Sequence, residues 1–208
     1  MIEKIKKNKK IGLIVLTLIA LIGVTYAYFS YYGQSENRKL VAGDVYLEMD
    51  ETGGFMELTN AFPETAEKAR SRDDNIITFS IDGRNSTTNK TIYYEIMLSE
   101  GEAVEGASVR IRPEHLRFDL VEIIDGVETM VVKNKTYNEL QNKRIWVNQV
   151  NPGTANITIN YELRVWIDEN VFISDTNDSA DYKASTWKDT YASIVVSVYG
   201  DFQEKDMS

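Results

Sequence analysis

The amino-acid sequence predicts a mainly β protein, an antiparallel β-sandwich with short helical insertions. Two observations support this prediction. Apolar and polar side chains alternate along most of the chain after its N-terminal leader, as strands with one buried face require. Glycine, proline, asparagine and aspartate form turn signals between these alternating runs. Several short strands separated by turns are typical of packed sheets.

Eight segments have the alternating pattern of a strand. The clearest is Asn156–Ile167, in which six apolar side chains at every second position share one face, although Trp166 breaks the polar face. In chain order the predicted strands are Asp44–Met49, Ile76–Ile81, Thr91–Leu98, Leu116–Ile124, Val127–Val132, Ile145–Val150, Asn156–Ile167 and Ala192–Val198.

Two turns and two helical stretches connect these strands. Asp125-Gly126 lies between two strand patterns and predicts a two-residue hairpin, because both turn positions need a positive φ. Asn151-Pro152-Gly153 predicts a second turn. The stretch Phe62–Arg72 is rich in helix formers, and Thr136–Lys143 is long enough for a single helical turn.

The first 27 residues have the order of an export signal. A basic leader precedes the apolar run Ile11–Val24, and the small residues Thr25 and Ala27 follow at the positions that a signal peptidase reads. A cut after Ala27 would make Tyr28 the new N-terminus. The basic residues of the leader are Lys4, Lys6, Lys7, Lys9 and Lys10.

The alternative for this segment is an uncleaved membrane anchor. Ile11–Tyr32 is long enough to cross a hydrocarbon core of roughly 30 Å, with its tyrosines at the interface. The sequence thus predicts three parts. They are a signal peptide or anchor at 1–27, an extended N-terminal segment at 28–38, and a β-sandwich domain at 39–208.

Composition narrows the classes of partner. The chain has 23 basic and 32 acidic residues, and because five lysines and Glu3 lie in the leader, 18 basic and 31 acidic residues remain beyond it. So acidic a surface argues against nucleic acid as a partner. The chain has no cysteine, so an exported fold must be stabilised by its core and sheet hydrogen bonds.

The sequence contains no familiar catalytic constellation, and we expect a protein that is not an enzyme. His115 is the only histidine, and without cysteine or an HExxH motif the usual zinc site cannot form. We interpret Pro113-Glu114-His115 as a turn with a solvated imidazole. Carboxylate pairs for glycoside hydrolysis stay open, because the fold brings such partners together.

Two further patterns predict weaker binding sites. Asp175, Asn177, Ser179 and Asp181 have the spacing that begins a calcium loop, although Ala180 replaces the usual glycine, and a solvated loop is the simpler interpretation. We expect no other cofactor. Trp146, Trp166 and Trp187 would suit a carbohydrate platform, but aromatic side chains pack more often in a core or against a strand face.

Several segments match the residue order of one group of exported bacterial proteins. VTYAYFS at Val24–Ser30 has its threonine, aromatic, alanine and aromatic-rich cleavage junction, and LVAGDVYLEM at Leu40–Met49 has its first strand. The closing segment from Tyr161 to Gly200 is also similar. The chain thus resembles the TasA and camelysin family, which a SipW-type signal peptidase processes. It departs from the family pattern at Pro63-Glu64, which opens a longer helix-prone insertion.

The resemblance implies a jelly-roll-like sandwich and assembly into fibres of an extracellular biofilm matrix. The partners would be copies of the chain or related matrix subunits, the signal peptidase, and the membrane at least transiently. The expected location is the surface or matrix of a Gram-positive-type bacterium. The family also includes camelysin, classed as a metalloprotease, but the residues give that activity little support.

The extended segment offers a physical mechanism for assembly. Once freed by cleavage, residues 28–38 can add as a strand to an open sheet edge of another subunit, with Phe29, Tyr31 or Tyr32 in alternate pockets. Alternatively, these aromatic residues mark only the membrane interface. The chain would then be a monomeric binding domain, tethered or secreted, and an exported hydrolase is the last alternative.

Overall fold

The computed structural model describes residues 39–42, 45–50, 55–59, 61–86 and 89–202. They belong to one compact unit, Asn37–Ser208. The predicted signal peptide with Thr25, Ala27 and Tyr28, and the predicted donor residues Phe29, Tyr31 and Tyr32, lie outside the described residues.

The described chain is mainly β and forms two sheets. The first sheet has the strand order β1-β2-β4-β10-β7-β8, and the second has the order β3-β11-β5-β9, with every neighbouring pair antiparallel. The short strand β6 pairs with β11 in parallel. The strands are β1 (Lys39–Ala42), β2 (Val45–Asp50), β3 (Phe55–Thr59), β4 (Ile76–Asn85), β5 (Ile92–Glu100), β6 (Val109–Arg110), β7 (Leu116–Ile124), β8 (Val127–Thr136), β9 (Arg144–Val150), β10 (Thr154–Ile167) and β11 (Thr190–Asp201).

All eight predicted strands are confirmed, with shifts at their ends. Alternating burial along β4, β5 and β10 places every second side chain in one hydrophobic core between the sheets. Fully buried residues such as Phe118, Leu163 and Ile96 each contribute about 1.5–3 kcal/mol by leaving water. The alternating pattern did not predict the strands β1, β3 and β6, and β6, with two residues, is too short to show a period.

The predicted turns are also confirmed. Asp125 and Gly126 have φ values of 51° and 79°, as the two-residue turn between β7 and β8 requires. Gly153 has a φ of 84° in the turn that leads into β10. Both glycines occupy a region that side chains with a Cβ rarely adopt.

The predicted helical stretches form only short elements. The helix α1 (Ala66–Arg70) begins after Thr65, whose hydroxyl accepts the Lys68 backbone N–H at 3.3 Å. The second stretch forms two 3₁₀ turns, Tyr137–Glu139 and Gln141–Lys143. Among the described residues, we find no helix that combines the length and apolar content needed to cross a membrane.

A partly buried ion pair holds α1 against the first sheet. The Arg70 guanidinium donates to both carboxylate oxygens of Asp119 on β7, at 2.6 and 3.1 Å. Asp119 is completely buried, and it also accepts the Asn134 backbone N–H of β8 at 2.6 Å. One carboxylate therefore joins the helical insertion to two strands.

A polar network joins the two sheets inside the core. The hydroxyls of Tyr94 on β5 and Tyr161 on β10 lie 2.8 Å apart, and Tyr161 donates to Glu122 at 2.9 Å. The Asn148 amide of β9 donates to both Tyr161 and Glu122. Burial raises the pKa of both tyrosines, so the phenols stay protonated donors. Phe79 stacks on Tyr161 with 5.2 Å between ring centroids.

Candidate assembly surface

The edges of the two sheets are the candidate sites for assembly. Among the described strands, the first sheet ends at β1 and β8, and the second ends at β3 and β9. An edge strand presents unpaired N–H and C=O groups to which another chain can add. The four edges differ in how regular and how open they are.

The β8 edge is interrupted by two bulges. Lys133 and Asn134 together face Asp119, and Val131 is an extra residue between two regular pairs. Asn134 has a φ of 51°, and its N–H is taken by the Asp119 carboxylate. Bulges and exposed lysines such as Lys135 are features that protect a sheet edge from added strands.

The β9 edge is also blocked. Its pairing with β5 shifts at Ile145, which is an extra residue between two paired positions. Near the other end, the Gln149 backbone N–H is accepted at 2.8 Å by the side chain of Asn148. A donor that a neighbouring side chain already satisfies offers little to an incoming strand.

The β3 edge, by contrast, is regular. Its five residues pair with β11 without any shift in register. The backbone oxygens of Tyr191 and Ser193 accept N–H groups of Ile111 and Gly101, at 2.7 and 2.8 Å, on the side of β11 away from β3. The backbone N–H and C=O groups of successive residues point to opposite sides of a strand. Ala192 and Ile194 therefore bond to β3 instead.

This alternation determines which backbone N–H and C=O groups of β3 have no partner on β11. Ala192 and Ile194 lie opposite Leu58 and Met56, so these two residues of β3 bond to β11. The backbone N–H and C=O groups of Glu57 and Thr59 therefore point away from the sheet. They are the groups that an added strand would meet.

A groove of about 400 Å³ runs beside this edge. Glu57, Leu58 and Thr59 line it from β3, and the chain from Ala61 to Asp74 lines the rest. Phe62 in the groove is 64% exposed, and its ring centroid lies 6.3 Å from that of the buried Trp187. The groove thus combines outward backbone groups of β3 and an exposed aromatic ring with the charged side chains of the insertion.

Ion pairs order the part of the insertion that lines the groove. Arg72 donates to Asp74 at 2.8 Å and to the buried Glu64 at 3.1 Å. The hydrogen bond to Asp74 is the main cause that raises the pKa of Arg72. Glu64 also donates its backbone N–H to Ile167 at the end of β10, at 3.1 Å. The insertion therefore has a defined position beside β3.

The prediction of a solvated imidazole at His115 is wrong. The residue ends a 3₁₀ turn, but its ring packs edge-on against Tyr182, and its Nδ1 lies 3.0 Å from the tyrosine hydroxyl. Burial and the adjacent Arg112 lower the pKa of His115, so the ring is neutral at pH 7. Arg112 donates to Asp181 at 2.8 Å, so this cluster joins the turn to the loop before β11.

The side chains of the predicted calcium loop bond mainly to protein groups. Asp175 accepts the Ser185 N–H and Asn177 accepts the Ser179 N–H, each at 2.9 Å, while Asp181 accepts the Phe172 N–H. Within the described ranges, no group of three or more His, Cys, Asp or Glu side chains is arranged to hold a metal ion. Calcium binding at this loop stays a prediction.

The three tryptophans pack in the protein instead of forming a platform. Trp166 and Trp187 are buried, and Trp146 is half-buried against the core. The packing interpretation is confirmed, and their faces are not available together for a sugar ring.

A scan of the chain against models of known protein families finds no match, and a search among curated proteins finds none either. The resemblance to the TasA and camelysin family stays a prediction. The strand edges are therefore the main structural indication of function. Sequence reasoning missed the β3 edge, because an edge is defined only by the pairing order of the strands.

Proposed function

We propose that this protein is an exported, non-enzymatic structural subunit, TasA-like in its role, that polymerises by donor-strand addition at the cell surface or in a biofilm matrix. The observation that supports it best is the regular β3 edge, whose Glu57 and Thr59 backbone groups point away from the sheet. Such an edge favours pairing with another extended chain.

The donor in this proposal is the segment 28–38, which directly precedes β1 in the sequence. Cleavage after Ala27 by a SipW-type peptidase would release its N-terminal end from the membrane. Eleven extended residues span about 36 Å at 3.3 Å per residue. Phe29 and Tyr31 lie two residues apart and would therefore face the same side of the added strand.

We also propose a jelly-roll-like arrangement for the two sheets. The late strand β11 lies between β3 and β5, and β10 lies between β4 and β7. Early and late strands that interleave in both sheets are consistent with chain wrapping of this kind.

A monomeric binding domain is the second candidate function. The groove beside β3, at about 400 Å³, falls within the usual size range of small-ligand sites, and Phe62 exposes a ring in it. In this case the groove would take a small ligand, and the segment 28–38 would serve as a tether.

Deletion of Tyr28–Glu36 tests assembly by donor-strand addition. We expect chain beginning at Tyr28 to form filaments in electron micrographs, and chain lacking Tyr28–Glu36 to stay monomeric in size-exclusion chromatography. The reason is that the deletion removes the only strand that the proposal assigns as donor. Filaments that persist after the deletion would rule the mechanism out, and a monomer in both cases would favour the binding domain.

A further inference from the structure

We infer that the groove beside β3 is a saccharide-binding site, in which the exposed Phe62 ring stacks on a sugar ring and the charged side chains of the insertion bind its hydroxyls. The inference does not depend on assembly. It rests on the second candidate function, a binding domain, and names the class of ligand. That ligand is a neutral oligosaccharide of glucose-type rings.

Phe62 supplies an aromatic surface that the protein itself leaves open. Its side chain is largely exposed, whereas Trp187, with 6.3 Å between the two ring centroids, is buried. Tyr182 packs edge-on against Trp187 at 5.3 Å, so the Phe62 ring lies against a packed aromatic cluster. An exposed ring held in this way gains stability when the apolar face of a ligand covers it.

The other side chains of the groove supply hydrogen-bonding groups. Six of the nine lining residues are polar or charged. Asp74 is 70% exposed, and its two oxygens each accept an Arg72 N–H at 2.8 Å, which orients the carboxylate and leaves further lone pairs for a ligand. These hydrogen bonds lower the pKa of Asp74, so it stays an ionised acceptor at neutral pH. The exposed ammonium of Lys68 adds a donor.

The charges of the groove favour a neutral ligand. Three acidic and two basic side chains line it. Both basic side chains already have carboxylate partners, since Arg72 pairs with Glu64 and Asp74, and Lys68 lies 3.9 Å from Glu64. A phosphate or sulfate group would therefore meet an excess of negative charge and no free guanidinium in this groove.

A glucose-type sugar ring matches this arrangement. Its hydroxyls are equatorial and leave C–H groups on both faces, so the ring is apolar on its faces and polar at its rim. Phe62 would cover one face, while Asp74 and Lys68 would meet hydroxyls, each of which both donates and accepts. The groove volume of about 400 Å³ lies within the usual range for small-ligand sites and suits a short oligosaccharide.

Titration calorimetry of the chain beginning at Tyr28 with cellohexaose, a neutral glucose oligosaccharide, tests the inference. We expect binding, and we expect Phe62→Ala to weaken it by about tenfold or more, because the stacking surface is lost. Phe62→Trp keeps an aromatic surface and should retain the affinity. Phe172→Ala is the matched control, since Phe172 is 46% exposed but does not line the groove, and it should bind like the unsubstituted chain.

Nuclear magnetic resonance supplies a measurement that needs no substitution. In the unsubstituted chain with cellohexaose, the C–H protons of the sugar should show nuclear Overhauser contacts with the Phe62 ring. The affinity should also be nearly the same at low and high salt, because a neutral ligand has no charge for salt to screen.

Three results would overturn the inference. They are unchanged affinity in Phe62→Ala, no binding of cellohexaose to any form of the chain, and salt-sensitive binding of a cationic glucosamine hexamer in place of cellohexaose. The chain lacking Tyr28–Glu36 separates this inference from assembly, because it keeps the whole groove and should bind cellohexaose without forming filaments. Filaments from a chain that binds no saccharide in either form would leave the assembly proposal standing and contradict this one alone.

Discussion

Replacing Arg70 with methionine is expected to lower the free energy of unfolding by about 3–5 kcal/mol at neutral pH. Asp119 is completely buried, and Arg70 is its only cationic partner among the described residues. Methionine keeps much of the packing but leaves a buried carboxylate without a counter-charge. Urea denaturation followed by tryptophan fluorescence measures the change.

Replacing Arg70 and replacing Asp119 are expected to destabilise the protein by different amounts. Asp119→Asn should destabilise less than Arg70→Met, because the Arg70 side chain is 28% exposed and water can solvate the remaining charge. Glu100→Gln is the surface control, since its ion pair with Arg110 is exposed, and it should change stability by less than about 1 kcal/mol. A loss below about 1 kcal/mol for Arg70→Met would contradict the role of this ion pair.

Tyr161→Phe is expected to lower the free energy of unfolding by about 1–3 kcal/mol. The change removes the partner at 2.8 Å from the buried Tyr94 hydroxyl and the donor at 2.9 Å from Glu122. The ring and its stacking on Phe79 are kept, so the loss reports the hydrogen bonds. Thermal and urea unfolding of the two proteins give the difference.

The double variant Tyr94→Phe with Tyr161→Phe is the control for this network. Replacing both partners by apolar groups of similar shape leaves no buried hydroxyl unsatisfied. The double variant should therefore be more stable than the sum of the two single changes predicts. If the losses in free energy of unfolding of the two single variants add up to that of the double variant, the two hydroxyls do not stabilise each other.

Local patterns in the sequence were sufficient for most strands and turns. In β10, the alternation of apolar and polar residues predicted the buried face, and the structure buries Ile159, Tyr161 and Leu163 as expected. The Asp125-Gly126 hairpin followed from the need for two positive φ values. These features depend on neighbouring residues alone.

Contacts between distant residues could not be predicted in this way. Arg70 and Asp119 are 49 positions apart, and nothing in either neighbourhood indicates that they pair. His115 was expected to be solvated because its partner Tyr182 lies 67 positions away. The β3 edge depends on the order of strands in a sheet, which a periodic pattern does not contain.

Only one of the two parts of the candidate assembly site, the donor segment, could be predicted from local sequence. The donor segment was predicted from the leader, since cleavage after Ala27 and the spacing of Phe29 and Tyr31 are local features. The acceptor required the register of β3 against β11 and the backbone direction at Tyr191 and Ser193. Only the folded chain brings Arg72 and Asp74 to one groove with Glu57 of β3.

Disulfide trapping between two subunits tests the central claim most directly. The chain has no cysteine, so single substitutions Ser30→Cys and Glu57→Cys in separate copies can join only each other or their own kind. Ser30 lies between Phe29 and Tyr31, so it would face outward with Glu57 when they face the core. If the added strand sets Ser30 opposite Glu57, their Cα atoms would lie about 4.5–5.5 Å apart, within disulfide range.

An equimolar mixture of these two variants, oxidised during assembly and analysed by peptide mass spectrometry, should contain the mixed Ser30→Cys and Glu57→Cys disulfide as its main cross-link. Gln149→Cys, mixed with Ser30→Cys in the same way, should give little of the corresponding product. Filaments that yield the Gln149 cross-link instead, or no cross-link to β3, would contradict strand addition at this edge.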